Sequence, residues 1–319
     1  MMGYRRKVIA LSSVLALLLV SLLLGELFSP DRRLARAEEG RLLSGEPKDA
    51  AILEISGPEG LLLFEKREGS WLLAEEGGSL PASASRVESF LSEAASVSRL
   101  ELRATGRASW PEFGLDGGKG YRVSAKDGKG KSLADFTVGS YGPTGKELFV
   151  RLGEAEKSYS AQAPSLASYL AAGRSGWLDL RVSGAPIRPE DVQGVAMRAD
   201  IALDGPGSPA RRFEWRAQRS EGGWKSGAAA LDLLALESLL RGLVNLEAED
   251  ARAAAPAGVF DRISLRAELS LGTGVTRIYE AGAEAGGGRY YFRRKDSPIA
   301  YEVSAYALKN LAKSLSELK

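Results

Sequence analysis

Acidic side chains are the first candidates for catalysis in this sequence, because they occur in close pairs. Glu75 and Glu76 are adjacent, and Glu247 lies near Glu249 and Asp250. A glycosidase needs two acids that face each other across a cleft, whereas adjacent residues of a strand point to opposite faces. The chain contains 41 acidic residues, so close pairs also arise by chance. We therefore expect these carboxylates to lie on solvated faces.

The residue types that are missing narrow the chemistry further. The chain has no histidine, which removes the Ser-His-Asp relay, imidazole metal ligands and the usual proton shuttle near neutral pH. It has no cysteine, which removes thiol nucleophiles, thiolate metal sites, disulfides and the acylated cysteine of a lipoprotein. Catalysis would have to rest on carboxylates, Lys, Tyr or Ser. We predict no cofactor, no metal and no enzymatic activity.

Two glycine-lysine stretches imitate a phosphate-binding loop. Gly130-Lys131-Ser132 matches the end of that motif, but Ala125 stands where its first glycine belongs, and the stretch joins two predicted strands. In residues 139–147, "GSYGPTGKE", Glu147 occupies the place of the Ser or Thr that holds magnesium. We predict that both stretches are turns and that the protein binds no nucleotide directly.

Two loops are the candidates for partner recognition. The stretch 136–152, "FTVGSYGPTGKELFVRL", joins two predicted strands through a loop that carries Tyr141 and Pro143, and Trp110 lies in a second loop, "SWPEFGLD". Such loops can present a recognition surface, although glycine and proline also serve ordinary turns. We name Trp110, Tyr141 and Pro143 as candidate partner-contact residues. The alternative for Trp110 is a ring that packs against the protein interior and contacts no partner.

The size and charge of the chain bound its class. A length of 319 residues exceeds the usual size of a single core, which favours two folded units. The 43 basic and 41 acidic side chains give a net charge of +2, too small a surplus to concentrate nucleic acid. We expect no nucleic-acid partner.

The N-terminal segment predicts a transmembrane signal anchor. Residues 8–28 form a predominantly apolar run in which only Glu26, at the outer edge, is charged. The length of this run at helical rise matches roughly 30 Å of hydrocarbon. Arg5, Arg6 and Lys7 precede it, so the positive-inside bias keeps the basic tip, residues 1–7, in the cytoplasm and places everything after Phe28 outside. The predicted location is the cytoplasmic (inner) membrane, with a single pass and a periplasmic C-terminal part.

A cleaved signal peptide is the main alternative to this anchor. Ala35-Arg36-Ala37 has the small-x-small form of a cleavage site. Several charged residues separate it from the apolar run, whereas cleavage normally follows the run closely, so the uncleaved anchor is favoured. A buried core helix is the least favoured interpretation. Residues 29–48 contain Pro30, Pro47 and many charges, which predicts an extracytoplasmic tether.

From Ala50 onward the pattern alternates with a period of two. Predicted hairpins with turns at Glu68-Gly69 and Asp127-Gly128 flank residues 84–98, a stretch with apolar residues at helical spacing. Those apolar residues are Val87, Phe90, Leu91, Ala94 and Val97. Long hairpins with few crossover connections predict an α+β fold of antiparallel sheets with packed helices. We assign residues 49–183 to a first α+β repeat.

The same order of predicted elements returns in residues 184–319, which we assign to a second repeat. Trp71 in "EGSWLL" corresponds to Trp224 in "EGGWKS". Phe149, Arg151 and Tyr159 correspond to Tyr291, Arg293 and Tyr301 at a constant separation of 142 residues. The sequence thus favours two copies of one unit over two unrelated α+β units, and we expect the repeated aromatics to fill the cores.

Several of these stretches resemble a known family. The anchor, "LEISGPEGLLLFEKREGSWLLAE", "EFGLD" at 112–116, "ADFTVGSYGPTGKELFVRL" and "SYSAQAPSLASYL" are similar to the bacterial family called domain of unknown function 4340 (DUF4340). The resemblance covers about residues 50–181 and extends more loosely into the second half, where "GVFDR" at 258–262 replaces the "FGLD" turn. It implies a membrane-anchored extracytoplasmic protein that accompanies an ABC-type exporter of the gliding-motility or auxiliary class. It implies no catalytic residues.

We therefore expect a non-enzymatic accessory subunit of an ABC-type transport system. Its expected partners are the transporter permease or associated envelope proteins, together with the membrane through the N-terminal helix. Two alternatives remain: a cell-envelope hydrolase that uses carboxylates or a Ser-Lys pair, and a receptor for a small ligand or glycan.

The anchor makes a prediction about the mature polypeptide. We expect it to retain residues 8–28 and to stay in the membrane fraction, because the apolar run is long enough to span the bilayer. Mass spectrometry of the purified protein measures this directly. A mature chain that begins at Glu38 would contradict it.

Overall fold

The computed structural model describes residues 37–184, 186–203 and 208–319. The predicted anchor, together with Arg5, Arg6 and Lys7, lies outside the described residues. Among the residues that are described, no helix has the length and apolar character needed to cross a membrane.

The described chain contains nineteen strands and five short α-helices. The strands are β1 (Ala37–Glu39), β2 (Ala50–Gly57), β3 (Gly60–Arg67), β4 (Ser70–Glu75), β5 (Gly78–Pro81), β6 (Arg99–Thr105), β7 (Tyr121–Asp127), β8 (Ser132–Tyr141), β9 (Leu148–Leu152), β10 (Lys157–Ala161), β11 (Val192–Ile201), β12 (Arg211–Ser220), β13 (Gly223–Ser226), β14 (Ala229–Ala230), β15 (Asp250–Arg252), β16 (Leu265–Leu271), β17 (Thr276–Gly286), β18 (Arg289–Arg294) and β19 (Ala300–Ser304). The helices are α1 (Ala84–Ser96), α2 (Trp110–Phe113), α3 (Ser165–Leu170), α4 (Leu233–Val244) and α5 (Ala305–Leu311). The fold is α+β and mostly β, and the predicted class is confirmed.

Two compact units make up the described chain. Unit one holds residues 37–66 and 85–172, and unit two holds residues 67–84 and 173–319. The expectation of two tandem units from length and pattern is confirmed.

Unit one is built on an antiparallel sheet. Its strands lie in the order β1-β6-β10-β9-β8-β7-β2-β3. Helix α1 buries Val87, Phe90, Leu91 and Ala94, the residues whose spacing predicted it. Strand β1 and the buried Leu42 and Leu43 belong to the segment predicted as a tether, so the described part of that segment is attached to unit one.

Unit two contains the β4–β5 hairpin and a nine-stranded antiparallel sheet. The order in that sheet is β14-β13-β12-β11-β16-β17-β18-β19-β15. In β11, alternate residues Val195, Met197, Ala199 and Ile201 are buried, which is the period-two pattern that predicted the strand. Helix α4 buries five apolar residues: Leu236, Leu239, Leu240, Leu243 and Val244.

The C-terminal helix is shorter than its apolar pattern predicts. The apolar spacing in residues 305–318, "AYALKNLAKSLSEL", predicts one continuous helix, but α5 ends at Leu311 and a separate 3-10 helix covers Leu315–Leu318. The Ala312 carbonyl accepts a hydrogen bond from the Arg211 guanidinium at 3.2 Å, and the Lys313 carbonyl accepts one from the Trp215 indole at 2.8 Å. These carbonyls therefore bond to strand β12 instead of continuing the helix.

Strand order and register support the predicted duplication. The run β6-β10-β9-β8-β7-β2-β3 of unit one matches the run β15-β19-β18-β17-β16-β11-β12 of unit two. Tyr159 lies opposite Val150 in unit one, and Tyr301 lies opposite Phe292 in unit two. Each residue of the first pair is therefore separated from its counterpart in the second pair by 142 residues. Trp71, Trp224, Tyr159 and Tyr301 are buried, as expected for core aromatics. The expectation is wrong for Phe149 and Tyr291, which are only half-buried.

A close approach of backbone to backbone also recurs in both units. A Cβ atom on Gly139 would lie 2.1 Å from the Phe113 carbonyl oxygen, and a Cβ atom on Gly282 would lie 2.1 Å from the Val259 carbonyl oxygen. Each glycine sits where the ladder of its strand shifts register. Residues 258–262 thus take the place of the "FGLD" turn, although their sequence differs.

These glycines make a prediction about stability. We expect Gly139→Ala or Gly282→Ala to lower the free energy of unfolding by about 1–3 kcal/mol or more, because a Cβ atom at either position overlaps backbone that cannot rotate away. The control is Gly118→Ala, which meets nothing within 4 Å and should change stability little. Urea denaturation combined with hydrogen exchange reports the loss for each unit. Equal stabilities for all three variants would contradict the prediction.

Candidate functional site

The two acidic groups considered for catalysis meet in unit two. Arg174 binds Glu75 of β4 and Asp250 of β15: its Nε donates to Glu75 Oε1 at 2.5 Å, and its Nη1 donates to Asp250 Oδ1. Its Nη2 donates to the Ala251 carbonyl at 2.5 Å. Ser175 Oγ adds a hydrogen bond to Asp250 Oδ1 at 3.1 Å. We call Arg174, Glu75 and Asp250 the arginine clamp.

The arginine clamp lines a cavity of about 430 Å³. Glu75 and Asp250 keep 20% and 25% of their side chains exposed, so the expectation of fully solvated carboxylates is wrong for these two. It holds for Glu76, Glu247 and Glu249, which are exposed. Glu75 and Asp250 both accept hydrogen bonds from Arg174. This arrangement favours a structural role, in which Arg174 holds strand β15 in place, over a catalytic role in which the carboxylates exchange protons with a substrate. In the part of the chain that the structure describes, no acidic cluster is suited to a metal ion.

Both phosphate-loop imitations are turns, as predicted. The Asp127 carboxylate accepts hydrogen bonds from the backbone N–H groups of Lys129 and Lys131 at 2.8 and 2.9 Å. These two bonds lower the pKa of Asp127, and the bond from Lys131 has the larger effect. In the second stretch, Gly142 donates to the Glu147 carbonyl at 2.9 Å and closes the β8–β9 loop.

The structure places Trp110 over a buried cation in unit one. Its indole ring lies 4.2 Å from the Arg151 guanidinium carbon and 5.3 Å from that of Arg107. Trp110 is half-buried, and its Nε1 has no hydrogen-bond partner among the described residues. Phe113, at the other end of α2, stacks on Phe149 of β9 with 4.3 Å between ring centroids. Helix α2 therefore lies across strand β9.

Tyr141 is the last residue of β8, and Pro143 lies on the glycine-rich loop that joins β8 to β9. Tyr141 is 47% exposed, although its hydroxyl donates to the Pro164 carbonyl at 3.2 Å, and Pro143 is exposed. Ser140, next to Tyr141, donates through Oγ to the Phe113 carbonyl at 3.0 Å. This bond ties the loop to α2, so unit one brings the three candidate contact residues into one region. We call it the α2–loop region.

Rows of arginine and carboxylate cross the open face of the unit two sheet, and sequence reasoning missed them. Glu280 is 2% exposed and accepts hydrogen bonds from Arg266 at 3.1 Å and from Arg293 at 2.7 and 2.9 Å. Glu302, equally buried, pairs with Arg252 and Arg289 at 3.0 and 2.8 Å. The available signal was the recurrence of arginine on facing strands.

Unit one carries a related row with different partners. Arg151 is buried, and it donates to the Gly153 carbonyl at 2.7 Å and to Thr137 Oγ1 at 3.3 Å. Arg122 makes two hydrogen bonds of 3.2 Å to Asp135, which raise the pKa of Arg122 above its usual value. Glu154 approaches both guanidinium groups, at 2.8 Å from Arg122 and 3.6 Å from Arg151.

Comparison with known proteins gives one match. A family model described as "Domain of unknown function (DUF4340)" matches residues 71–259, which is more than half of the chain and includes parts of both expected repeats. No curated protein and no solved structure matches the chain.

The arginine clamp makes a prediction about stability. We expect Arg174→Met to lower the free energy of unfolding by about 1–3 kcal/mol, because Glu75 and Asp250 lose a shared cation while largely shielded from water. The control is Arg188→Met: the Arg188 side chain is 70% exposed and pairs with Asp191, so we expect a change of about 0.5 kcal/mol or less. Urea titration gives both values, and equal losses would show that the clamp does not hold the fold.

Proposed function

The chain belongs to the DUF4340 family, and from that premise we propose that it acts by binding, as a non-enzymatic accessory subunit of an ABC-type transport system. Residues 8–28 anchor it in the cytoplasmic membrane, and both units lie on the extracytoplasmic side. The partner is the transporter permease or another protein of the cell envelope.

The α2–loop region is the observation that carries this proposal. It combines the exposed ring of Tyr141 with Pro143 on a loop whose base is tied to α2 through Ser140 and Phe113. Aromatic side chains on loops held by a rigid sheet lose little entropy when they bind, and they dominate many protein interfaces. This favours a surface that recognises another protein.

The short connection to the proposed anchor favours a partner at the membrane. Eight residues, 29–36, separate the end of the apolar run from β1, which is paired with β6. A fully extended chain of that length spans at most about 28 Å. Unit one is thereby held near the outer surface of the bilayer, within reach of the extracytoplasmic loops of a permease.

The hydrolase alternative has its best location at the cavity of the arginine clamp. Glu75 and Asp250 line that cavity, but both are bound to Arg174, which would have to release at least one of them before it could act as an acid or base. The α2–loop region requires no such rearrangement, so we favour binding.

Photo-crosslinking in cells tests the proposal. We expect a photoreactive phenylalanine at Tyr141 or Pro143 to form an adduct with an integral membrane protein, because this region faces the partner. The matched control is the same group at Glu221, an exposed turn residue of unit two. Adducts are detected by gel shift and identified by mass spectrometry. Recovery of a lone, processed, soluble protein, or equal labelling at all three positions, would refute the proposal.

A further inference from the structure

We propose that Arg122, Thr137 and Arg151 of unit one form a binding site for a carboxylate of the partner protein. This inference rests on the proposed binding function and specifies the chemistry that the partner presents. It comes from comparing the charged rows of the two units, position by position.

The sheet registers align these rows. In unit two, Arg266 lies opposite Glu280, which lies opposite Arg293. In unit one, Arg122 lies opposite Thr137, which lies opposite Arg151. Each row begins and ends with an arginine. The guanidinium carbon of the last arginine lies 4.2 Å from the centroid of an aromatic ring in both units: Trp110 for Arg151 and Phe260 for Arg293. The difference is the central residue, where unit one has a hydroxyl in place of a carboxylate.

This difference leaves Arg151 poorly neutralised. Arg293 makes two hydrogen bonds to Glu280, at 2.7 and 2.9 Å. Arg151 is 7% exposed, and its nearest carboxylate among the described residues is Glu154 at 3.6 Å. Its Nε is buried without a hydrogen-bond partner within the described chain. A buried guanidinium that lacks a close counter-charge carries a desolvation cost that an incoming carboxylate can offset.

Glu154 shows where such a carboxylate enters. It lies in the turn between β9 and β10, its side chain is 68% exposed, and it bridges Arg122 and Arg151 from the solvent side. Exposed ion pairs contribute little to stability, so Glu154 is readily displaced. Arg122, whose side chain is 48% exposed, lies at the entrance, where Asp135 holds its Nε and Nη2 and leaves Nη1 to Glu154. Glu154 thus occupies the place of a partner's acidic side chain.

Arg122 and Arg151 are suited to bind a carboxylate group. The same two positions in unit two already hold one, and the planar guanidinium matches a carboxylate through paired N–H donors. The stacked Trp110 fixes the orientation of Arg151. The occupant is an acidic segment of a protein that contacts the adjoining α2–loop region.

Peptide binding by the full-length protein in detergent tests this site. The probe is fluorescein-labelled hexaglutamate, with hexaglutamine as the neutral comparison, measured by fluorescence anisotropy at low salt. We expect saturable binding of hexaglutamate only. Thr137→Glu supplies the carboxylate found in unit two and should weaken binding at least tenfold. Thr276→Glu adds the same charge at an exposed position of unit two and should leave the affinity within about twofold.

A second variant keeps the test decisive if Thr137→Glu does not fold. Glu154→Gln removes an exposed side chain that competes for the site, and we expect it to tighten hexaglutamate binding about threefold. Absence of hexaglutamate binding, an unchanged affinity in Thr137→Glu, or weaker binding in Glu154→Gln would each overturn the site. Crosslinks at Tyr141 that persist in such a case would leave the proposed function standing.

Discussion

In both units a turn closely approaches a glycine that lies where the register of a strand shifts. Because Gly139 and Gly282 have no side chain, the carbonyls of Phe113 and Val259 can rest directly on β8 and β17. That approach lays each turn across the next strand and brings an aromatic ring onto an arginine. The position of α2 depends on this contact, since any bulkier residue would push the turn away, whereas the strand registers align the charged rows.

Local patterns predicted most of the architecture, because they depend on neighbouring residues. The spacing of Val87, Phe90, Leu91 and Ala94 gave helix α1, and the alternation in β11 gave a half-buried strand. Patterns failed where distant residues compete for the same backbone. Arg211 and Trp215 bond to the carbonyls of Ala312 and Lys313, where the helix α5 would otherwise continue. Arg174 joins Glu75 to an acid that lies far along the chain. No periodicity in the sequence records such contacts.

The candidate site was predicted only in part. Loop composition predicts Trp110, Tyr141 and Pro143 as contact residues, whereas only the repeat pattern distinguishes Arg151. The chemistry of Arg151 stayed hidden because the two copies do not align at one fixed separation. The separation of 142 residues that matches β9 with β18 would make Tyr279 the counterpart of Thr137. The strand registers make Glu280 its counterpart instead, because Thr137 lies opposite Arg151 as Glu280 lies opposite Arg293. The missing carboxylate becomes visible only after the strands are aligned in space.

Strand β1 has a mechanical consequence. It is three residues long and pairs only with β6 among the described strands, at the end of the sheet where the chain enters unit one. Tension applied from the N-terminal side therefore acts on this short pairing before it reaches the rest of the sheet. Separating β1 from β6 breaks only this three-residue pairing, whereas the buried Leu42 and Leu43 that follow β1 attach the chain to unit one independently.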